Sequence, residues 1–263
     1  MFNASIVLYN HSIAEVETLV RLLQQSEQTE TVFLIDNSPN KNPDFLKLPV
    51  EYIFTGENIG YGAAHNIAIR KSIEQNIPYH LVINPDISFD PVILTEITEF
   101  MNKNTEIGHL MPKVYYPDGQ IQYLCKLLPT PFDLIFRRFL PENWTRKSRA
   151  QFEMRSSGYN KIMDVPYLSG CFMFLRIKAL VEVGLFDEQF FMYPEDIDLT
   201  RRIHKKYRTV FYPFVSIIHH HEQSSYMNLK MLGIHIVNMI KYFNKWGWIF
   251  DKERKEVNRE FLN

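Results

Sequence analysis

Two hydrophobic periods alternate along the first half of the chain. Ser5 to Tyr9 is a short apolar, β-rich run, and the amphipathic stretch Ile13 to Gln25 comes after it. Ser12 caps that stretch, with Glu15 placed for a capping box. Thr31 to Ile35 is the next buried run, and Asp36-Asn37-Ser38-Pro39 stops it with strong turn chemistry. A strand over Glu51 to Phe54, a helix over Gly60 to Gln75 and a strand over Tyr79 to Ile83 come next, the last ended by Asn84-Pro85-Asp86. Asp90-Pro91 opens another helix, with cap and first-turn proline in that order. The β-α-β-α order predicts an α/β fold, an open and mostly parallel central sheet flanked by helices. Ligands of such sheets bind beyond the carboxyl ends of the strands. Asp36, Asn58, Asn84 and Asp86 all fall at or just past those ends.

The second half is less regular. Lys126 to Leu140 is apolar but broken by Pro129, Pro131, Arg137 and Arg138, and the polar stretch Glu142 to Asn160 reads as a mobile loop. Order resumes at Val165 to Leu175, and a helix is expected from Pro194-Glu195-Asp196. After Tyr226 the pattern is helical. Leu229, Leu232, Ile236, Met239, Ile240, Phe243 and Trp246 form one stripe, and Lys230, Asn238, Lys241 and Lys245 lie opposite. Two readings fit this amphipathic tail. It packs on the domain, or it lies on an anionic membrane with Trp246 and Trp248 at headgroup level and Leu127 to Leu140 as a second contact. The expected division is a catalytic domain over 1–224 and a helical tail over 225–263, for which both readings stay open.

Composition narrows the function classes. The chain has 263 residues, 46% hydrophobic and 22% charged, which suits one globular domain with an appendage. A formal net charge of -1 gives no nucleic-acid footprint, and the local basic clusters read as solvated helix faces. Cys125 and Cys171 are too few for a disulfide framework. No secretory signal is visible, and no run reaches the roughly 18–20 apolar residues of a spanning helix. The expected place is the cytoplasm, peripheral on the inner face of the cell membrane.

Several clusters are able to carry chemistry. Asp36 is either a turn aspartate or a carboxylate accepting the N3 imide proton of uracil or thymine. Asn58-Ile-Gly-Tyr-Gly-Ala-Ala-His-Asn66 is no dinucleotide fingerprint, because His65 stands where the third glycine is needed, and no P-loop. Its small residues let backbone approach a ligand, and its helix N-terminus favours anions. Asn84-Pro85-Asp86 reads as a turn or as a site for magnesium or manganese shared with substrate phosphates. The aromatic-flanked acids Glu195, Asp196 and Asp198 open a helix, where the macrodipole favours them. Half-buried carboxyls of this kind also serve as general bases. In His219-His220-His221, alternate side chains face opposite ways, so one or two at most can serve one metal.

Together these stretches resemble the family 2 glycosyltransferases, in their rhamnosyltransferase-like branch. The residues that carry the resemblance are Ser5-Ile-Val-Leu-Tyr-Asn10, Ile35-Asp-Asn-Ser38, Glu57-Asn-Ile-Gly-Tyr-Gly-Ala-Ala-His-Asn66 and Leu81-Val-Ile-Asn-Pro-Asp86. Leu168-Ser-Gly-Cys-Phe-Met-Phe174, Val183-Gly-Leu-Phe-Asp187, Phe190 to Leu199, and Pro213 with His219 continue them in the family's order. The resemblance implies a GT-A fold and inverting transfer from a nucleotide-diphosphate sugar. It assigns Tyr9, Asn10 and Asp36 to the base, and Asn58, Gly60, Asn66 and Asn84 to the nucleotide-sugar floor. Asp86 and His219 would hold a divalent cation with the diphosphate. Asp196 matches the catalytic base with Glu195 beside it. Tyr193 and Asp198 fall on the acceptor side, Asp198 as an acceptor contact or a structural one. The usual Asp-x-Asp is here Asn84-Pro85-Asp86, and an amide is the weaker metal ligand.

The resemblance also points to a saccharide acceptor on a polyprenyl diphosphate, in bacterial surface polysaccharide synthesis. L-Rhamnose from dTDP-rhamnose is the first choice of donor, with galactofuranose or a hexose from UDP behind it. The rivals are a nucleotidyltransferase, which lacks its glycine-rich basic loop here, a non-catalytic nucleotide-sugar-binding module, and a metal-dependent hydrolase.

Overall fold

A computed structural model describes residues 1–220 and 229–261. The chain begins with β1 (Phe2–Leu8), α1 (Ile13–Gln24), β2 (Thr29–Asp36), β3 (Glu51–Phe54), α2 (Tyr61–Glu74) and β4 (Tyr79–Ile83). β5 (Ile87–Phe89), α3 (Val92–Lys103), β6 (Ile107–Tyr115) and β7 (Cys125–Lys126) are next. The middle holds α4 (Pro131–Leu134), α5 (Glu142–Phe152), β8 (Met163–Asp164), β9 (Tyr167–Leu168) and β10 (Phe172–Arg176). Then come α6 (Ile177–Val183), α7 (Glu195–His204), β11 (Arg208–His219), α8 (Leu229–Trp246) and α9 (Lys252–Glu260). His221 and the expected boundary between 224 and 225 lie outside the described residues.

Local chemistry starts these elements where it was expected to. Ser12 and Glu15 form the reciprocal cap of α1, which turns Val16, Leu19, Val20 and Leu23 into the core. The Val92 amide donates to Asp90 Oδ1 at 3.0 Å at the start of α3. β1 pairs in parallel with β2 and β4, and β2 with β3. These strands lie between helical layers, which is why β4 is buried at every position and reads as an unbroken apolar run. β10 then enters antiparallel between β4 and β6, β11 runs parallel to β6, and β5 closes the edge antiparallel to β11. The result is an α/β sheet, mostly parallel at its centre, with β7 and β9 as a separate two-stranded ribbon.

One expectation is corrected. The stretch Glu142 to Asn160 is not a loop: α5 and a 3₁₀ turn at Arg155–Ser157 fill much of it. Phe152, Met154 and Tyr159 anchor it in a second hydrophobic cluster. The Tyr159 hydroxyl accepts from the Cys125 amide at 2.9 Å and lies 3.0 and 2.8 Å from the Cys125 and Glu153 carbonyls. A few long-range anchors outweigh the polar composition.

The tail packs on the domain. Met239, Tyr242 and Phe243 are buried, Asn238 donates to the Met192 carbonyl at 3.0 Å, and Ile240 of the expected stripe is exposed. Lys245, expected to point outward, pairs with Asp187 and Asp198 at 2.6 and 2.7 Å. Trp246 donates its indole N–H to Asp198 at 2.8 Å instead of reaching a headgroup layer. Arg201, only 2% exposed, binds Asp251 at 2.7 Å and Glu253 at 2.9 Å and stacks on Trp246. No helix among the described residues is long and apolar enough to cross a membrane.

Removing one partner of a buried pair leaves the other charge uncompensated, at a cost of about 3–5 kcal/mol. Arg201→Met should therefore lower the unfolding free energy by about that much, read by urea titration. A loss near zero would show that the α8–α9 unit is not clamped through Arg201.

Candidate active site

The carboxyl edge of β1 to β4 gathers the expected donor residues. Tyr9 is half exposed at the end of β1, and Asn10 adopts a left-handed φ of 58° while its amide donates to Ser38 Oγ at 2.8 Å. Asp36 ends β2 fully buried. Its Oδ1 accepts from the Ser38 amide at 3.0 Å and its Oδ2 from the Tyr52 hydroxyl at 2.6 Å. Burial, with Asp36 beside it, pushes the Tyr52 hydroxyl up, so it stays a donor. In this conformation Asp36 orders the turn behind Tyr9, and imide recognition by it requires that flank to open.

Glycine is required at position 60. Its φ is +94°, and a Cβ there would sit 2.6 Å from the Phe191 carbonyl oxygen. The next amide, Tyr61, donates to that same carbonyl at 3.0 Å, and Asn58 Oδ1 accepts from the Gly60 amide at 3.1 Å. The start of α2 is thus fastened to the segment that leads into α7.

Asp196 sits in the second residue of α7, 8% exposed. Its Oδ2 accepts from the Gly170 amide at 2.8 Å and Oδ1 from the Ile197 amide at 2.7 Å, and the Tyr167 hydroxyl reaches Oδ2 at 3.5 Å. The Tyr61 hydroxyl lies 2.9 Å from both the Gly170 carbonyl and Asn84 Oδ1. One phenol therefore joins the Asn-Pro-Asp turn to Gly170, the residue whose amide holds Asp196. Tyr193, just ahead of α7, has a strained φ of 90° and stacks on His235.

Burial raises the Asp196 carboxyl to about 6, against the opposing pull of the Gly170 amide and the Lys126 ammonium. Burial and the neighbouring Asp196 push Glu195 well above the usual carboxylate range. Among the described residues Glu195 Oε2 is buried without a hydrogen-bond partner. The adjacent pair thus divides its roles: Glu195 keeps a proton, and Asp196 is ionised near neutral pH with the basicity suited to accepting one.

Asp86 and His219 come together across β5 and β11, with Asp86 Oδ1 3.4 Å from His219 Nε2. Gln122 donates its amide N–H to the His219 carbonyl at 2.9 Å, which turns its Oε1 to His219 Nδ1, also at 2.9 Å. Nδ1 is thereby turned to Gln122, and Nε2 is the ring nitrogen directed at Asp86. His220 points elsewhere, to Ser88 Oγ at 3.0 Å. A carboxylate oxygen and an oriented imidazole suit a manganese-type cation. No group of three or more His, Cys, Asp or Glu among the described residues is arranged to hold a metal. Such a pair needs substrate phosphates to complete the shell.

Two assigned residues have structural partners. Asn66 is buried, its Nδ2 donating to the Phe186 carbonyl and Glu188 Oε1 at 2.9 Å each, and its Oδ1 accepting from the Phe186 amide at 3.1 Å. It braces α2 and does not line the donor floor in this conformation. Asp198 is fully buried against Arg202, Lys245 and Trp246, so the structural alternative holds for it. Sequence reasoning missed Gln122, Tyr61 and Lys126 as contributors. Tyr61 stood inside a quoted motif, and nothing in the pattern marks the other two.

Both acids bind protons more tightly in the folded than in the unfolded chain, whose carboxyls titrate near about 4. Stability therefore falls as pH rises from about 4 through the raised folded values, by about 1.4 kcal/mol per unit of difference. Glu195→Gln should gain on the parent between about pH 4 and 7, with the gap closing below about 4. Urea midpoints at both ends test this, and a parent that is the more stable at pH 7 would refute it.

No family model matches the chain. It is 29% identical over 228 residues to the N-acetylglucosaminyl-diphospho-decaprenol L-rhamnosyltransferase of Mycobacterium tuberculosis, covering 79% of this chain and 72% of that protein. It is 27% identical over 251 residues to the rhamnosyltransferase WbbL of Escherichia coli, covering 90% and 91%. Among solved structures, Staphylococcus aureus TarS 1–349 with UDP-GlcNAc aligns with a TM-score of 0.61 at 15% identity, over 100% of this chain and 71% of that one. GalNAc-T7 with UDP, GalNAc and Mn2+ aligns with a TM-score of 0.59 at 13% identity, over 83% of this chain; the chain spans only 43% of that protein. Relatives and fold agree: the chain is similar over most of its length to rhamnosyltransferases, and it has the GT-A type of fold seen in glycosyltransferases of solved structure.

Proposed function

We propose that this protein is an inverting, metal-dependent transferase that moves L-rhamnose from dTDP-rhamnose to a saccharide on a polyprenyl diphosphate, in bacterial surface polysaccharide synthesis. The observation that carries this is Asp196: a buried, backbone-oriented carboxylate with a pKa of about 6, joined through Gly170 and Tyr61 to the Asn84-Pro85-Asp86 turn. The two relatives named above support the sugar, and the Mycobacterium tuberculosis one the carrier.

In this reading the donor diphosphate lies over the carboxyl edge, between Asp86 and the start of α2. Asp86 and His219 would hold magnesium or manganese there, and the bound cation would neutralise the charge that develops on the diphosphate. The acceptor hydroxyl attacks the anomeric carbon opposite the leaving diphosphate, the old carbon–oxygen bond breaks toward phosphate, and Asp196 takes the hydroxyl proton. A single base on the acceptor side makes the transfer inverting.

The membrane contact is peripheral at the inner face of the cell membrane, through two exposed apolar segments and not through the α8 stripe. Trp248, Ile249 and Phe250, the last 88% exposed, come just after α8, while Phe132 and Phe136 project from the 131–136 segment. Arg254 ties the two segments together, donating to the Pro129, Gly247 and Trp248 carbonyls at 3.3, 3.4 and 3.1 Å. Exposed Phe and Ile side chains suit burial at the acyl boundary, and the Trp248 indole suits the headgroup level.

Thermal unfolding with dTDP, UDP, GDP or CDP, each with and without magnesium or manganese, tests the donor site. Saturation at 100 times the dissociation constant adds about 2.7 kcal/mol. Metal-dependent stabilisation by dTDP over UDP is expected, and the reverse order would move the donor to a UDP-sugar. Asp196→Asn should keep that stabilisation and lose about 10²–10⁴-fold in transfer. Full transfer by this variant would reject Asp196 as the base.

A further inference from the structure

Lys126 stands out among the interior cations. Arg137, Arg201 and Arg202 are each paired with a carboxylate, whereas among the described residues none lies within ion-pair distance of the Lys126 ammonium. β7 places it opposite Tyr167 of β9, and its Nζ rests 5.1 Å from the Tyr167 ring centre. The hydroxyl of that ring reaches Asp196. Lys126 is thus on the wall that carries the base, and burial lowers its pKa, a cost an anionic ligand would offset.

The segment beyond Lys126 gives the anion an address. Leu127 and Leu128 are buried, Pro129 is held by Arg254, and the exposed aromatics of 131–136 and 248–250 lie past it. Base, cation and apolar rim therefore follow one another in space, from Asp196 through Tyr167 to Lys126 and on along the chain to the 131–136 segment. A saccharide joined through phosphate to a lipid presents hydroxyl, anion and hydrocarbon in the same order. In that reading the donor diphosphate would take its counter-charge from the cation that Asp86 and His219 would hold, and not from Lys126.

We propose that Lys126 binds the diphosphate of the acceptor, next to the sugar whose hydroxyl meets Asp196. This rests on the glycosyl-transfer reading above and adds the acceptor's phosphate subsite to it.

The test uses two acceptors with the same sugar and the same alkyl tail, one linked through diphosphate and one directly as an alkyl glycoside. Lys126→Met should raise KM for the diphosphate acceptor by about tenfold more than for the alkyl glycoside. Lys126→Arg should recover most of the difference, and the nucleotide-dependent thermal shift should persist in both variants. Equal losses with the two acceptors would assign Lys126 to tuning Asp196 and overturn the proposal. A lost nucleotide shift would assign it to the donor and overturn it equally. Binding of both acceptors, measured by calorimetry without donor, separates the two levels. Lys126-dependent diphosphate binding without any turnover would fault the transferase reading alone. Turnover with diphosphate binding unchanged in Lys126→Met would fault this proposal alone.

Discussion

The Tyr61 hydroxyl has one proton and two acceptors at 2.9 Å, the Asn84 amide and the Gly170 carbonyl. It stands where two halves of the protein meet. On one side are the parallel strands β1 to β4, whose ends form the proposed donor edge. On the other are β10 and α7, the latter carrying the proposed base Asp196. A transfer reaction needs leaving group and attacking hydroxyl in line within a fraction of an ångström, so the two halves require a rigid common frame. β4–β10 pairing, the Asn84 amide on the Cys171 carbonyl and the Gly60–Phe191 contact supply the backbone part of it. Tyr61 extends it to the Asn-Pro-Asp turn and, through the Gly170 peptide, to Asp196.

Interior charge in this molecule is divided by task. Around α7 and the C-terminal helices, Arg201, Arg202 and Lys245 meet Asp198, Asp251 and Glu253 in closed pairs, and these hold the tail in place. In the cleft, Glu195, Asp196 and Lys126 are left for other partners or for protons. Glu195 and Asp196 share a helix N-terminus that would favour two anions, yet burial keeps one of them protonated. The paired set pays for architecture, and the other set is kept for chemistry.

Short-range information in the chain was enough for the elements and for the candidate edge. Ser12 with Glu15, Asp90 with Pro91, and the apolar run Tyr79 to Ile83 each act on neighbours a few residues away, and each element forms where they place it. Asp36, Asn58, Asn84 and Asp86 come with them, because a parallel strand carries its next residues to one edge whatever the partners are. Asp196 was legible from its position at the head of an acid-rich helix.

Tertiary structure alone decided which of the candidate polar residues are closed into structural contacts. Asn66 and Asp198 look as functional in the sequence as Asn58 and Asp196, but their partners lie 120 and 48 residues away and enclose them. Gln122 orients His219 across 97 residues, and no local period records it. The tail shows the same limit: an apolar stripe says that a helix must cover something, and only the buried Asp198–Trp246–Arg201 contacts say what. Propensity and periodicity are set by neighbours in the chain. Desolvation, pairing and proton affinity are set by neighbours in space, and only the folded chain brings those together.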